Sequence, residues 1–199
     1  MHPKDVAKAY DQITKLWESP DFNLQNGIEQ HKRAIAFTKT RGRALDVGCG
    51  CTGRFIDLLL SEKFTPEGVD FSEKMITLAR EKHPRIAFHH ADICQLELSE
   101  KYDFITAWDS IWHVPLDSQR SLMTKLISSL NTGGVLIFSC GGLDDAAEHT
   151  DDYMGPEIYY SSLGINGYLA LFTKLQATCR HLEYDQHPEP HAYFIVQKD

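Results

Sequence analysis

The run Ala44-Leu45-Asp46-Val47-Gly48-Cys49-Gly50-Cys51-Thr52-Gly53 decides how this chain folds. Ala44 to Val47 has the length and apolar character of a buried strand, and Phe55 to Leu60 reads as an apolar helix. Between them Gly48, Gly50 and Gly53 satisfy G-x-G-x-x-G. Glycine at those positions permits a tight turn and lets a ligand approach the backbone, while the helix amino terminus offers free N–H groups. The spacing alone occurs by chance; its position after a strand and before a helix gives it meaning.

Downstream the alternation continues. Glu67 to Asp70 reads as a second strand, Ser72 as the cap of a helix carrying Met75, Ile76 and Ala79, and Ile86 to His90 as a third strand. Tyr102 to Ala107 is a fourth strand. Asp117 is placed to cap a helix through Leu130, which Asn131-Thr132-Gly133-Gly134 stops before a fifth strand, Val135 to Ser139. Strand alternating with helix implies one α/β domain with a parallel sheet and helices on both faces. Towards the carboxyl end, Gly141 to Ser162 reads as a long connection, the kind of segment that is often functional. A helix near Gly167 to Leu175 follows, then Ala177 to Tyr184 and Ala192 to Gln197 as an antiparallel hairpin, with Glu189 and His191 expected as solvated hairpin residues. Upstream, Val6, Tyr10, Ile13 and Trp17 share one face of a helix, and Gly27 to Thr38 forms another with Ile28, His31, Ile35 and Thr38 on one side. Residues 1–40 are therefore expected as a helical lid on a domain spanning 41–199.

Three carboxylates bear on the ligand. Asp70 ends the second strand 20 residues after Gly50, where it can bind both hydroxyls of an adenosine ribose. A nicotinamide dinucleotide protein would show the same pair of features. Asp46, two places before the first glycine, is poorly suited to a pyrophosphate and well suited to an ammonium group. Asp92, after the third strand, adds an acceptor for an adenine amine.

These residues resemble the class I S-adenosylmethionine-dependent methyltransferases over roughly Ala44 to Ser139. Leu45 to Gly53 is similar to the first motif of that family, Gly68-Val69-Asp70-Phe71-Ser72 to its second, and His90-Ala91-Asp92-Ile93 to its third. Tyr102 to Ile105, leading to Trp108-Asp109-Ser110-Ile111-Trp112-His113-Val114, is similar to the fourth, and Leu130-Asn131-x-Gly133-Gly134 to the turn before the fifth strand. The resemblance implies a Rossmann-like sheet of seven strands, order 3-2-1-4-5-7-6 with strand 7 antiparallel. It implies that Asp46, Gly48, Cys49, Gly50 and Gly53 serve the methionine half of S-adenosylmethionine, and Asp70 the ribose. Phe71, Met75 and Ile93 would flank the adenine, Asp92 would meet its amine, and Trp108 and Asp109 would lie near the sulfonium. S-adenosylhomocysteine would be the product.

His113 follows the fourth strand at the sheet edge where such folds bind ligands, and is the candidate base or acceptor-orienting group. Tyr10 and Trp17, with His149, Tyr153, Tyr159 and Tyr160 from the long connection, are the candidate acceptor pocket. Two other readings stay open: an NAD-dependent oxidoreductase on a related fold, and an inactive cofactor-binding or regulatory module.

Composition narrows the partners. With 20 Lys and Arg against 28 Asp and Glu, the net charge is −8, which argues against a nonspecific nucleic-acid binder and favours a small-molecule acceptor. Five scattered cysteines suit neither a disulfide framework nor the usual ligand spacing of zinc, so no metal is expected. The amino terminus lacks the layout of a signal peptide, no apolar run approaches the roughly 20 residues of a membrane span, and cytoplasm is the expected location.

Overall fold

The computed structural model describes residues 1–199. The amino-terminal segment forms α1 (Pro3–Ile13), the single turn α2 (Lys15–Glu18) and α3 (Ile28–Ile35). The alternating body follows as β1 (Arg43–Val47), α4 (Arg54–Ser61), β2 (Thr65–Asp70), α5 (Glu73–Lys82), β3 (Ala87–His90) and β4 (Tyr102–Ala107). A 3₁₀ turn, Ile111–His113, leads into α6 (Leu116–Ser128) and β5 (Leu130–Gly141). Next come β6 (Ala147–Asp151), β7 (Ile158–Ser162), α7 (Gly164–Lys174), β8 (Ala177–Glu183) and β9 (His191–Lys198).

Seven strands form one sheet in the order β3-β2-β1-β4-β5-β9-β8. β9 runs antiparallel to both β5 and β8, and the other pairings are parallel. This is the expected order, with β8 and β9 as its sixth and seventh strands. Side chains alternate across the central strands as the pleat requires. Leu45, Val47, Ile105, Leu136 and Phe138 pack with α6 and α7. Ala44, Phe104, Val135, Ile137 and Ile195 pack on the other side with α3 and α4. Burial on both faces is why these strands read as continuous apolar runs.

Several local expectations change. The first helix breaks at Thr14, although Tyr10 and Trp17 still share a face with ring centroids 5.2 Å apart. The helix after β4 starts from Pro115, so Asp117 lies in its first turn without capping it. Within 131–134, Gly133 takes a positive φ of 77° inside an irregular start of β5. The connection after β5 is an antiparallel β6–β7 hairpin. β6, Ala-Glu-His-Thr-Asp, is exposed along almost its whole length, so it carries no apolar alternation by which a sequence reading could find it. Within residues 1–40, α3 packs into the sheet layer through Ala34 and Ile35. Only α1 and α2 stand over the sheet edge. No helix is long and apolar enough to cross a membrane.

Candidate functional site

At the carboxyl ends of β1, β2 and β4 opens a cavity of about 1070 Å³. Its floor is the glycine turn. Gly48 adopts φ +70°, and a Cβ there would sit 2.2 Å from the Cβ of Ser110, whose hydroxyl donates to the Val47 carbonyl. Gly50 also has positive φ, and nothing lies within 4 Å of where its Cβ would be. A side chain at Gly48 would collide with the neighbouring wall, whereas the space over Gly50 is open to a ligand. The N–H groups of Gly48 and Cys49 donate to the Val69 carbonyl, which ties the turn to the end of β2. Cys49 offers this site its backbone, because its thiol is buried and burial raises it well above the usual range.

Asp70 closes the turn. Its Oδ2 accepts from the Gly50 N–H at 2.9 Å and its Oδ1 from the Ser72 N–H at 2.8 Å. Desolvation raises its pKa against these backbone donors, which lower it. Phe71, Met75, Asp92 and Ile93 continue the same wall, with Asp92 held by the Cys94 N–H. Asp46 sits at 2% exposure beneath the turn and off the cavity wall. Burial pushes its carboxyl up to about 7, with Arg54 opposing.

These groups suit an adenosine joined to a cationic tail better than a dinucleotide. A pyrophosphate over the turn would need the Gly50 N–H, which already serves Asp70.

Across the cavity, Asp109 leaves β4 with φ +52°, a conformation seldom adopted by residues other than glycine and often tied to function. Its N–H donates to the Ser139 hydroxyl at 2.7 Å, and that hydroxyl donates to Oδ1 at 3.1 Å. Oδ1 also accepts from His191 Nε2 at 3.1 Å, and Oδ2 from the Asn26 amide at 3.2 Å. The other ring nitrogen of His191 meets Asp185, which Gln30 holds at 2.8 Å. His191, expected in solvent, is 7% exposed and on the cavity wall. Burial disfavours its charge, but hydrogen bonds and attraction from Asp109 and Asp185 prevail and its pKa is raised. A signal existed: His191 alternates with the buried Tyr193 and Ile195 along β9.

His113 joins three elements. Its Nδ1–H donates to the Tyr159 carbonyl at 2.8 Å, so Nε2 is left to accept from the Tyr10 hydroxyl at 2.6 Å and the Trp112 indole at 2.9 Å. Burial lowers its pKa to about 4, which keeps the ring neutral near pH 7. α1 docks nearby in a second way: Asp11 accepts from the Ser72 hydroxyl and the Lys74 N–H at the start of α5. Val6 and Ala9 pack on Ile158 and Tyr159.

Tyr10, Trp17, His149, Tyr153 and Tyr160 reach the cavity, as do Gly48, Cys49, Gly50, Trp108 and Asp109. Tyr153 does so only at the rim, being 95% exposed. Gly53 and Tyr159 do not. Gly53 caps α4 on the far side of the turn, against His83. The Tyr159 hydroxyl accepts from the Leu116 N–H and donates to Glu148, away from the cavity. Sequence reasoning missed Phe22, Arg54, Trp112 and Asp151 on the wall. No group of three or more potential metal ligands is assembled.

Residues 44–134 match a family model described as a methyltransferase domain. Malonyl-[acyl-carrier protein] O-methyltransferase of Bacillus cereus is 35% identical over 143 residues, covering 69% of this chain and 50% of the relative. A dTDP-3-amino-3,6-dideoxy-alpha-D-glucopyranose N,N-dimethyltransferase of Streptomyces fradiae is 34% identical over 71 residues, 35% of this chain and 28% of that one. The chain thus spans about half the length of the first curated relatives it matches. Magnesium protoporphyrin IX methyltransferase of Synechocystis PCC 6803, solved with bound S-adenosylmethionine, superposes with a TM-score of 0.72 at 17% identity, over 100% of this chain and 98% of that one. That likeness establishes a shared fold.

Proposed function

We propose that this chain, which carries a methyltransferase domain on the class I Rossmann-like fold of S-adenosylmethionine-dependent methyltransferases, transfers a methyl group to oxygen or nitrogen of a small-molecule acceptor. The observation that carries this reading is Asp70, a carboxylate at the tip of β2 whose two oxygens engage the Gly50 and Ser72 N–H groups beside the open glycine turn. That arrangement suits ribose hydroxyls. S-adenosylmethionine, when bound, supplies a methyl group already activated on a sulfonium sulfur.

The protein then needs mainly to align the partners and exclude water. The backbone of Gly48, Cys49 and Gly50 would cradle the methionyl end, with the buried Asp46 carboxyl beneath the turn. Phe71, Met75 and Ile93 would flank the adenine, and Asp92 would take its amine. Asp109, fixed by Ser139, Asn26 and His191, is held before any ligand arrives, so its negative charge needs no reorganisation. Of the two roles expected for His113, base or orienting group, we assign the second. Its accepting nitrogen is filled by Tyr10 and Trp112, so it would hold α1 and β7 over the acceptor while remaining neutral. α1 and α2 would form the lid, and the reaction would run in the cytoplasm.

Thermal melting tests the cofactor. S-adenosylhomocysteine at a hundred times its Kd should stabilise the protein by about 2.7 kcal/mol, and NADH should not. Stabilisation by NADH alone would overturn the reading.

A further inference from the structure

The cavity, about 1070 Å³, stands at the upper end of the roughly 300–1,000 Å³ typical of small-molecule sites, and its wall away from the glycine turn has a distinctive chemistry. Its walls there are Tyr10 and Trp17 below, and Trp112 and Tyr160 opposite. Tyr10 lies 5.1 Å from the His113 ring, and Tyr160 lies 4.9 Å from the same ring and 6.4 Å from Trp112, measured between centroids. Tyr10, Trp112 and Tyr160 share His113 as a neighbour, and Trp17 joins them through Tyr10. Asp151, at the end of β6, stands on the same cavity wall, with its carboxylate near the Tyr153 N–H and His149. It lies close enough to raise the Tyr10 and Tyr160 hydroxyls, although burial is the larger cause in each. Glu189 adds a second carboxylate to the wall.

No lysine lines the cavity, and its only non-histidine cation is Arg54. Arg54 is already committed: its guanidinium donates to the Asn26 carbonyl and the Thr52 hydroxyl, stacks over Phe55 and Phe22, and is attracted by Asp109 and Asp46. His191 is held between Asp109 and Asp185. The exposed His149 stands 3.5 Å from Asp151 on the same strand. Asp70 and Asp92 face the adenosine end and Asp109 is held by Ser139, Asn26 and His191, so the carboxylates towards the acceptor are Glu189 and Asp151, whose only cationic neighbour is the exposed His149.

We infer that the acceptor is a small organic molecule bearing an amine that is cationic at neutral pH, received between Tyr10, Trp17, Trp112 and Tyr160 with Asp151 as its counter-charge. This inference rests on the methyltransferase reading and names the substrate class of the same site. Aromatic faces attract organic cations, most strongly where water is excluded, and a carboxylate on the rim reinforces them. An anionic acceptor, such as a free carboxylate, would meet Asp151 and Glu189 with no uncommitted cation to offset them.

The test uses the full chain saturated with S-adenosylhomocysteine, titrated in a calorimeter with three probes of similar size: benzyltrimethylammonium, benzyl alcohol and phenylacetate. Quenching of tryptophan fluorescence gives a second readout. Benzyltrimethylammonium should bind about tenfold more tightly than either other probe, as a desolvated cation–aromatic contact implies. Asp151→Asn should weaken it at least about threefold and leave S-adenosylhomocysteine affinity unchanged. Equal or tighter binding of phenylacetate or benzyl alcohol, no effect of Asp151→Asn, or no binding of the cation to the loaded protein would each overturn the inference. Failure of S-adenosylhomocysteine itself to bind would instead remove the cofactor reading beneath it.

Discussion

Along the β1–β2 edge, the backbone N–H groups of the turn are held by one carbonyl and one carboxylate that lie close to them in sequence. The Val69 carbonyl holds the Gly48 and Cys49 N–H groups, and Asp70 holds those of Gly50 and Ser72, all from residues close to the two strand ends. The opposite wall is held by side chains from distant parts of the sequence. Tyr10 bonds His113, Asn26 bonds Asp109, Gln30 bonds Asp185, and His191 bridges Asp109 to Asp185. A cradle whose donors are backbone N–H groups depends on few side chains, here chiefly Asp70. A wall made of paired side chains depends on every partner in the pairing.

The largest effect should come from breaking the side-chain wall at its most buried pair. His191→Ala leaves Asp109 and Asp185 without their shared partner, and unfolding free energy should fall by about 3–5 kcal/mol in urea titration. The wild-type protein should also lose stability as pH rises. The folded pKa of His191 is raised, so its contribution is full below the ordinary histidine pKa of about 6.5 and disappears as pH climbs through the higher folded value. His191→Ala should flatten that slope; an unchanged slope would show that the ring is not charged in the fold.

Breaking the backbone cradle should act on the cofactor first. Asp70→Ala removes a charged acceptor and should weaken S-adenosylhomocysteine at least about tenfold by calorimetry, equivalent to 1.5–3 kcal/mol. Unchanged affinity would place the ribose elsewhere. The smallest change is Tyr10→Phe, which deletes one hydroxyl from the His113 junction. Amides of α1 should exchange faster by about 0.5–1.5 kcal/mol of local protection, with cofactor affinity within about twofold of wild type. A large loss of cofactor affinity instead would mean that the two walls are one unit.

The same contrast explains what could be read in advance. The glycine turn, Asp70 and Asp92 were legible because strand ends, turn and helix cap are local and leave spaced signatures. The sheet order was legible through resemblance to a family whose motifs occur in order. On the other wall, Tyr10, Trp17, His149 and Tyr160 were legible only as aromatic and imidazole groups on segments near one edge. Their common space depends on a hairpin whose first strand is polar and exposed. His191 was misread because a histidine after Pro-Glu-Pro looks like loop, and its two acidic partners lie 6 and 82 residues away. Tyr159 looked like a neighbour of Tyr160, yet the two side chains leave β7 on opposite faces, one into a hydrogen bond with Glu148 and one into the cavity.

The sequence by itself determined the α/β alternation, the glycine turn and the carboxylates beside it, because hydrophobic period, turn chemistry and capping act over a few residues. Only the tertiary structure decided that Asp46 lies beneath the turn and not on the wall. It alone decided that His113 is a neutral junction and that His191 is a buried one between two acids. Burial and long-range hydrogen bonds set the protonation of such groups, and these exist only once distant segments have packed together.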